Sequence, residues 1–359
     1  MRLRSKRLVV LVMVAALFIL SILDVTFRKE ELFDRFGDVF ENKQRTVAHN
    51  QVQSAVSLTE KRELELKLSG VREVALATVR NKLTVQRSTD SGMRLNYTVT
   101  VTAPDALAAR RRMDSVQVKD QVDQGVLNLH PEANGRKLDM DGVSVEYVLT
   151  VPDGVKLQLQ NEGGTLAVAG VQSEIMVSSE GGLVEVVGTS GPLDVKTSRG
   201  HVYMKDIKGG IQLSNHNSQV VVKNGTGGMT LQSESGRNVI ERMIGNVTGT
   251  MRGGQVQVRE VTGTLELRSE GSAETLVERV QGNIRMESEG DANTLILPET
   301  VGYALDVQVS GGAVRTTLPF PIERLKDGEY GARLKGTIGK GTWNVVVKSH
   351  GGDVLIHSN

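Results

Sequence analysis

Polar side chains recur at a constant spacing of 18 residues through the middle of this 359-residue chain: Glu162, Glu180, Ser198, His216, Glu234, Arg252, Glu270 and Ser288. Stacked along one edge, such residues would make a ladder of oxygen ligands, the chemistry that holds Ca²⁺ or cationic envelope components. Yet only Glu162 and Glu180 are adjacent acids, and Arg252 stands between Glu234 and Glu270, where it can neutralise both. The pattern reads as a solvated turn edge, whose screened ion pairs contribute little stability. Glycan cleavage would need several acids, or acids and a base, gathered on one face. The outward positions before each turn are Gln160, Ser178, Lys196, Ser214, Gln232, Thr250 and Arg268, with no acid among them. Those after it are Ala167, Glu185, Tyr203, Val221, Val239, Gln257 and Thr275, with a single one. No catalytic constellation follows from either row.

Two parts of these rows remain as candidate binding stripes. Gln160, Ser178, Lys196, Ser214 and Gln232 suit hydrogen bonding to a long polysaccharide or wall polymer. Tyr203, Val221 and Val239 suit contact with another protein. Other chemistry is thin. His201 and His216 fall in adjacent repeats but on different sides of the turn, a poor arrangement for metal ligation. Asp139-Met140-Asp141-Gly142 opens like a calcium loop but lacks a third early ligand and the acid at the twelfth position, so it reads as a tight turn. Arg110-Arg111-Arg112 is a local basic run, read as a solvated helix face. No phosphate loop, dinucleotide fingerprint or nucleophile motif is present, and no cofactor or metal is expected. A formal net charge of +1 argues against nucleic acid as a partner. The absence of Cys excludes disulfides and thiolate chemistry, and 3% aromatic content argues against stacking platforms.

The elements that must position these rows are set by the same period. A small residue recurs at Gly164, Gly182, Gly200, Ser218, Gly236, Gly254, Ser272 and Gly290. Seven and five residues before each mark stand apolar pairs such as Leu157/Leu159, Ile175/Val177 and Leu193/Val195; two and four residues after stand Leu166/Val168, Val184/Val186 and Val202/Met204. A second glycine recurs at Gly191, Gly209, Gly227, Gly245 and Gly263. Alternation in each half-repeat means two short strands with one buried face. A unit of this size cannot enclose a core alone, so the units must stack, burying their inward side chains in a continuous column. The fold expected is all-β, a β-solenoid of single-stranded β-helix type, with regular repeats over about 155–297. Gly249, Asn238 and Glu274 break the apolar pattern, and a one-residue shift onto Val239 and Leu276 is expected there. The flanks carry strand-like runs (82–86, 95–101, 143–151, 304–309, 343–347) and one helical insert, Asp105–Met113, and are expected to cap the column.

The N-terminus sets the compartment. A basic tail (1–7) precedes 16 uncharged residues, Leu8–Leu23. With Val25–Phe27 this makes a transmembrane signal anchor over 8–27, slightly short of the ~20 residues usual for a span. A cleaved signal peptide is the alternative, but no small-x-small site follows the apolar core. The basic side fixes the N-terminus in the cytoplasm and places the rest outside. Leu32, Phe33, Phe36, Val39 and Phe40 lie on one face of a helix, giving a juxtamembrane helical stalk over 28–63 and one extracytoplasmic domain over 64–359.

The coil Val177-Ser178-Ser179-Glu180-Gly181-Gly182-Leu183-Val184 resembles the repeats of the DUF4097 β-strand-repeat family, also described as adhesin-like. So do the lead-in Val151-Pro152-Asp153-Gly154 and the exit Leu297-Pro298-Glu299-Thr300-Val301-Gly302-Tyr303. The likeness covers roughly residues 60 to 359. It implies a bacterial envelope protein with a β-solenoid body and no established catalytic residues. The expected function is a non-enzymatic, membrane-anchored binding or scaffold surface whose partner is an envelope polymer or another membrane protein. The alternatives are a regulatory partner of a membrane sensor in envelope stress and, third, a glycan-active β-helix enzyme.

Overall fold

The computed structural model describes residues 55–271, 273–298, 302–325 and 330–358. The signal anchor Leu8–Leu23 and the Leu32–Phe40 stripe lie outside them. Among the described residues no helix is long and apolar enough to cross a membrane.

The described chain is all-β and β-helix-like, with one helix, Ala106–Ser115. Two large sheets carry 14 and 16 strands. Each repeat puts one strand into each sheet, and successive repeats pair in parallel. Thus Ile175–Glu180 pairs with Leu193–Ser198, and Leu183–Val187 with His201–Lys208, both at a register of 18. These two-strand repeats, here called rungs, run from Lys156–Ala169 to Ile284–Leu297. Period-two alternation sends one residue set inward, and the facing rows Leu157/Leu159 to Ile284/Met286 and Leu166/Val168 to Asn293/Leu295 are buried.

The two corners explain the two glycine series. At the first corner, the residue that always needs a left-handed backbone stands one place before the mark: Gly163, Gly181, Arg199, Asn217, Ser235, Gly253 and Gly271. From Gly164 to Gly254 the mark itself is small because the preceding rung is close; a Cβ on Gly182 would lie 2.1 Å from the Gly164 carbonyl oxygen. At the second corner a Cβ on Gly245 would lie 2.1 Å from the Gly227 oxygen. In the rungs from His201 to Gln281, one left-handed residue in each strand precedes that corner. Asp206, Asn224, Arg242, Glu260 and Arg279 all have φ between 54 and 57° and are held by side-chain links along the column. The Asn224 amide donates to Asp206 (2.7 Å), Arg242 Nε donates to Asn224 (2.6 Å), and Arg279 pairs with Glu260 (2.9 Å).

The expected shift onto Val239 and Leu276 is not what the structure shows: among the described residues the register slips by one at a single place, and there it turns Leu276 outward. Gln255 pairs with Glu274 and Leu265 with Ile284, both at 19, so one extra residue enters at the turn between Gly271 and Ala273. Ser272, expected as a mark, lies outside the described residues. The marks continue as Ala273 and Asp291, and Gly290 stands one place early. Thr275 and Val277 face inward there and Leu276 outward, because the insertion moves the whole strand by one. Asn238 does not shift. It stays inward at 2% exposure because its amide is satisfied, accepting from Asn215 Nδ2 (2.8 Å) and donating to Ser233 Oγ (2.9 Å). Gly249 also stays in register, and Leu267 fills its place: a Cβ there would lie 2.8 Å from Leu267 Cδ2.

Both ends are built out of chain order. The rung Glu73–Arg87 stacks directly under Lys156–Ala169, while residues between them continue outward: Val143–Val151 pairs with Lys82–Arg87 and Val126–Ala133 with Glu73–Val79. The helix links Met93–Ala103 in one sheet to Val116–Asp123 at the edge of the other and buries Ala109 and Met113. Its N-cap is Asp105, whose carboxylate accepts from Ala108 N–H (2.8 Å). At the far end the rung Trp343–Ser358 sits between Ile284–Leu297 and Tyr303–Thr316. Antiparallel strands finish the second sheet there, with Arg333 gripping Asp306 through two hydrogen bonds (3.0 and 2.8 Å). Edges that would pair with other chains are thus covered or charged. Residues 56–63, expected to end a helical stalk, are instead part of the strand Val56–Leu66; its alternating Val56, Leu58, Leu64 and Leu66 outweigh helical spacing.

Candidate functional site

The second sheet carries the polar stripe. Parallel registry brings Gln160, Ser178, Lys196, Ser214 and Gln232 into one outward row, a rung apart, as their spacing predicts. The row continues through Thr250, Arg268, Glu287 and Lys348, so acids are not absent from its far end. Two positions along each strand, the turn-edge residues form a second row: Glu162, Glu180, Ser198, His216, Glu234, Arg252, Glu270, then Glu289 and His350. Glu289 replaces the expected Ser288, which the inserted residue turns inward.

Between these rows runs an open groove of about 620 Å³, lined from Ser178 and Glu180 to Thr250 and Arg252. A smaller one of about 250 Å³ lies farther along, at Arg268, Glu270, Glu287 and Lys348. The edge charges are largely spent on each other. His216 Nδ1 is 3.2 Å from Glu234, Arg252 is 3.8 Å from the same carboxylate, Arg268 is 3.7 Å from Glu270, and Arg199 pairs with Glu180. Arg252 therefore holds Glu234, and the partner of Glu270 is Arg268. Among the described residues, no three His, Asp or Glu gather where a metal could bind. What the groove offers is a repeating set of hydroxyl, amide and single charged donors and acceptors, one rung apart, without a reacting centre.

Tyr203, Val221 and Val239 form a row on the other sheet, half-buried and extended by Gln257 and Leu276 rather than by Thr275. The structure does not bring the two stripes together. Burial pushes the Tyr203 phenol above its ordinary range, helped by Glu185, Asp206 and Glu241. Beside this row runs one not anticipated: Lys205, Lys223, Glu241, Arg259 and Glu278. Lys223 pairs with Glu241 (3.4 Å) and Arg259 with Glu278 (3.2 Å). Burial opposes ionisation of Glu241, but Lys223 and Arg242 outweigh it and hold its carboxyl below the usual range.

Also unanticipated is an inward, largely polar column at the first corner: Asn161, Ser179, Thr197, Asn215 and Ser233, then, past Met251, Ser269, Ser288 and Ser349, each buried. Its signal is in the repeat, where a polar residue stands three places before each mark from Gly164 to Gly236. The remaining motifs are structural. Asp139 to Gly142 is a turn, with Asp139 Oδ1 accepting from Asp141 N–H (3.2 Å), and Arg110 pairs with Glu60 (3.3 Å) and Asp114 (3.1 Å).

No family model matches the chain, and no curated protein matches it. Among solved structures it is similar to a "putative lipid binding protein" from Parabacteroides distasonis at 16% identity and a TM-score of 0.42, covering 64% of this chain and 96% of that one. It is similar to a "putative adhesin" from Bacteroides fragilis at 12% identity and a TM-score of 0.32, covering 83% and 97%. A "putative cell adhesion protein" from Clostridium sporogenes is similar at 11% identity and a TM-score of 0.21, covering 84% and 100%. Identities and TM-scores this low transfer none of those proteins' roles to this chain.

Proposed function

We propose that the chain is a non-enzymatic β-solenoid of the bacterial cell envelope, of the DUF4097 adhesin-like kind, held at the membrane by Leu8–Leu23. Its groove on the second sheet binds an extended, hydroxyl-rich polymer. The observation that carries this is the registry of Ser178, Lys196, Ser214, Gln232 and Thr250 along one open groove. Each polar contact is worth only about 0.5–1.5 kcal/mol net. A polymer that engages several rungs at once gains by effective concentration, so affinity comes from repetition.

The test is co-sedimentation of the full-length protein with purified envelope polysaccharide. The double substitution Lys196→Ala/Gln232→Ala removes two contacts and is expected to weaken binding about tenfold. Val221→Ser/Val239→Ser, on the opposite sheet, is expected to leave it unchanged. The reverse result would favour the second reading, in which the half-buried Tyr203–Val221–Val239 row docks a membrane sensor; a pull-down from native membranes would then recover that sensor.

A further inference from the structure

Of the buried side-chain oxygens left without a partner, three fall on two adjoining rungs: Asp291 Oδ2, Asn293 Oδ1 and Thr275 Oγ1. All three residues are at most 2% exposed. Asp291 Oδ1 accepts from Ala273 N–H (2.6 Å), and among the described residues no cationic side chain pairs with the carboxylate. A buried carboxylate in that state is costly, and folded proteins answer it with a partner charge or a metal.

The other rungs show where these oxygens point. Asn293 repeats the pose of Asn238: each donates through Nδ2 to the serine of its own rung, at 2.8 Å to Ser288 and 2.9 Å to Ser233. That leaves Oδ1 facing the preceding rung. For Asn238, the atom it meets there is Asn215 Nδ2, at 2.8 Å. For Asn293, registry puts Ser269 in that place, a side chain too short to reach. The mark beside Asn238 is Gly236, from which a Cβ would lie 3.2 Å from the same Asn215 nitrogen. The corresponding mark here is Asp291. Thr275, the registry partner of Asn293, replaces Val220, the partner of Asn238. Thus, where Asn238 meets the amide donor of Asn215, this pair of rungs offers no such donor and leaves Asp291 Oδ2, Asn293 Oδ1 and Thr275 Oγ1 without a partner.

We propose that a calcium ion sits between these two rungs, ligated by Asp291, Asn293 and Thr275. Hard oxygen ligands of mixed carboxylate, amide and hydroxyl type suit it. Calcium accepts such oxygens at about 2.3–2.6 Å in flexible geometry, whereas magnesium demands a near-ideal octahedron at roughly 2.0–2.1 Å. One carboxylate in the set makes the affinity weak, in the range of extracellular calcium modules. The ion neutralises Asp291 at the turn widened by the inserted residue, where the column would otherwise be weakest. This does not depend on what the groove binds.

The test uses the full-length protein, stripped with EDTA and melted with and without millimolar calcium. Wild type is expected to gain at least about 2 °C with calcium and less with magnesium. Asp291→Asn is expected to abolish the gain. Asn293→Asp, which adds a second carboxylate, is expected to enlarge it, and decides the matter if Asp291→Asn does not fold. An unmoved wild type overturns the proposal. So does an equal gain in Asp291→Asn, which would place the ion on the groove edge, or a smaller gain in Asn293→Asp.

Discussion

At the scale of residues, two glycines that look alike in sequence do different work. Gly245 has φ +138° and would drive a Cβ to 2.1 Å from the Gly227 oxygen, whereas Gly210 meets nothing within 4 Å and has an ordinary backbone. Gly245→Ala is expected to destabilise by at least about 1–3 kcal/mol, since backbone must move. Gly210→Ala is expected to be neutral or stabilising by about 0.4–1 kcal/mol, through the unfolded chain. Urea unfolding of the two variants side by side checks both. The sequence made the corners legible through glycine spacing. It did not reveal which glycine was a left-handed residue and which a point of close approach, because Arg199, Asn217 and Ser235 also take positive φ. The outward stripe was legible for the same reason the core was: strict alternation fixes both faces at once. The inward Ser/Asn column was not, because a polar residue on a buried face reads as a fault until its hydrogen bonds are seen.

At the scale of elements, the rung is the unit. Removing residues 193–210, one full period, joins Pro192 to Ile211 and leaves every later side chain facing as before. That variant is expected to fold and stay soluble, with polymer binding reduced because Lys196 leaves the groove. Removing residues 193–209 leaves Gly210 as one extra residue at the second corner, where glycines of successive rungs approach most closely, so a measurably less stable fold is expected. Gel filtration checks solubility, and melts followed by circular dichroism separate the two. Truncation of 303–359 uncovers both open edges at Ile284–Leu297, and aggregation is expected; a soluble monomer would show that the end needs no cover. The inserted residue was legible only in part. Gly254 and Gly290 differ by 36, twice the period, and that coincidence hides the extra residue behind two columns that differ by one place. The order of the end rungs was not legible at all, since a strand's pattern says which face is buried and not which neighbour lies beside it.

At the scale of the whole molecule, stability depends on groups at the ends as well as on the column. Tyr303 is fully buried where Trp343–His350 meets Tyr303–Ser310, and its hydroxyl donates to the Val280 carbonyl. Burial pushes its phenol from the ordinary 10.0 up to about 12. The folded state therefore holds that proton more tightly than the unfolded chain. Its contribution is intact below pH 10 and is lost as pH rises toward about 12. Tyr303→Phe is expected to flatten the loss of melting temperature across that window, although Tyr147, raised further by burial, remains to unfold the protein at higher pH.

The placing of Trp343–Ser358 between two earlier segments also bears on how the molecule is made. Growth by zipping one repeat onto the last works as far as Leu297 and then fails, because the next segment in the chain is not the next in space. Tyr303–Ser310 has the same alternating pattern as Trp343–His350, so premature docking of the former onto Ile284–Glu289 is a ready-made kinetic trap. Correct assembly requires that a berth be left open while some forty residues pass by, and the chain closes it only when its latecomer is threaded home.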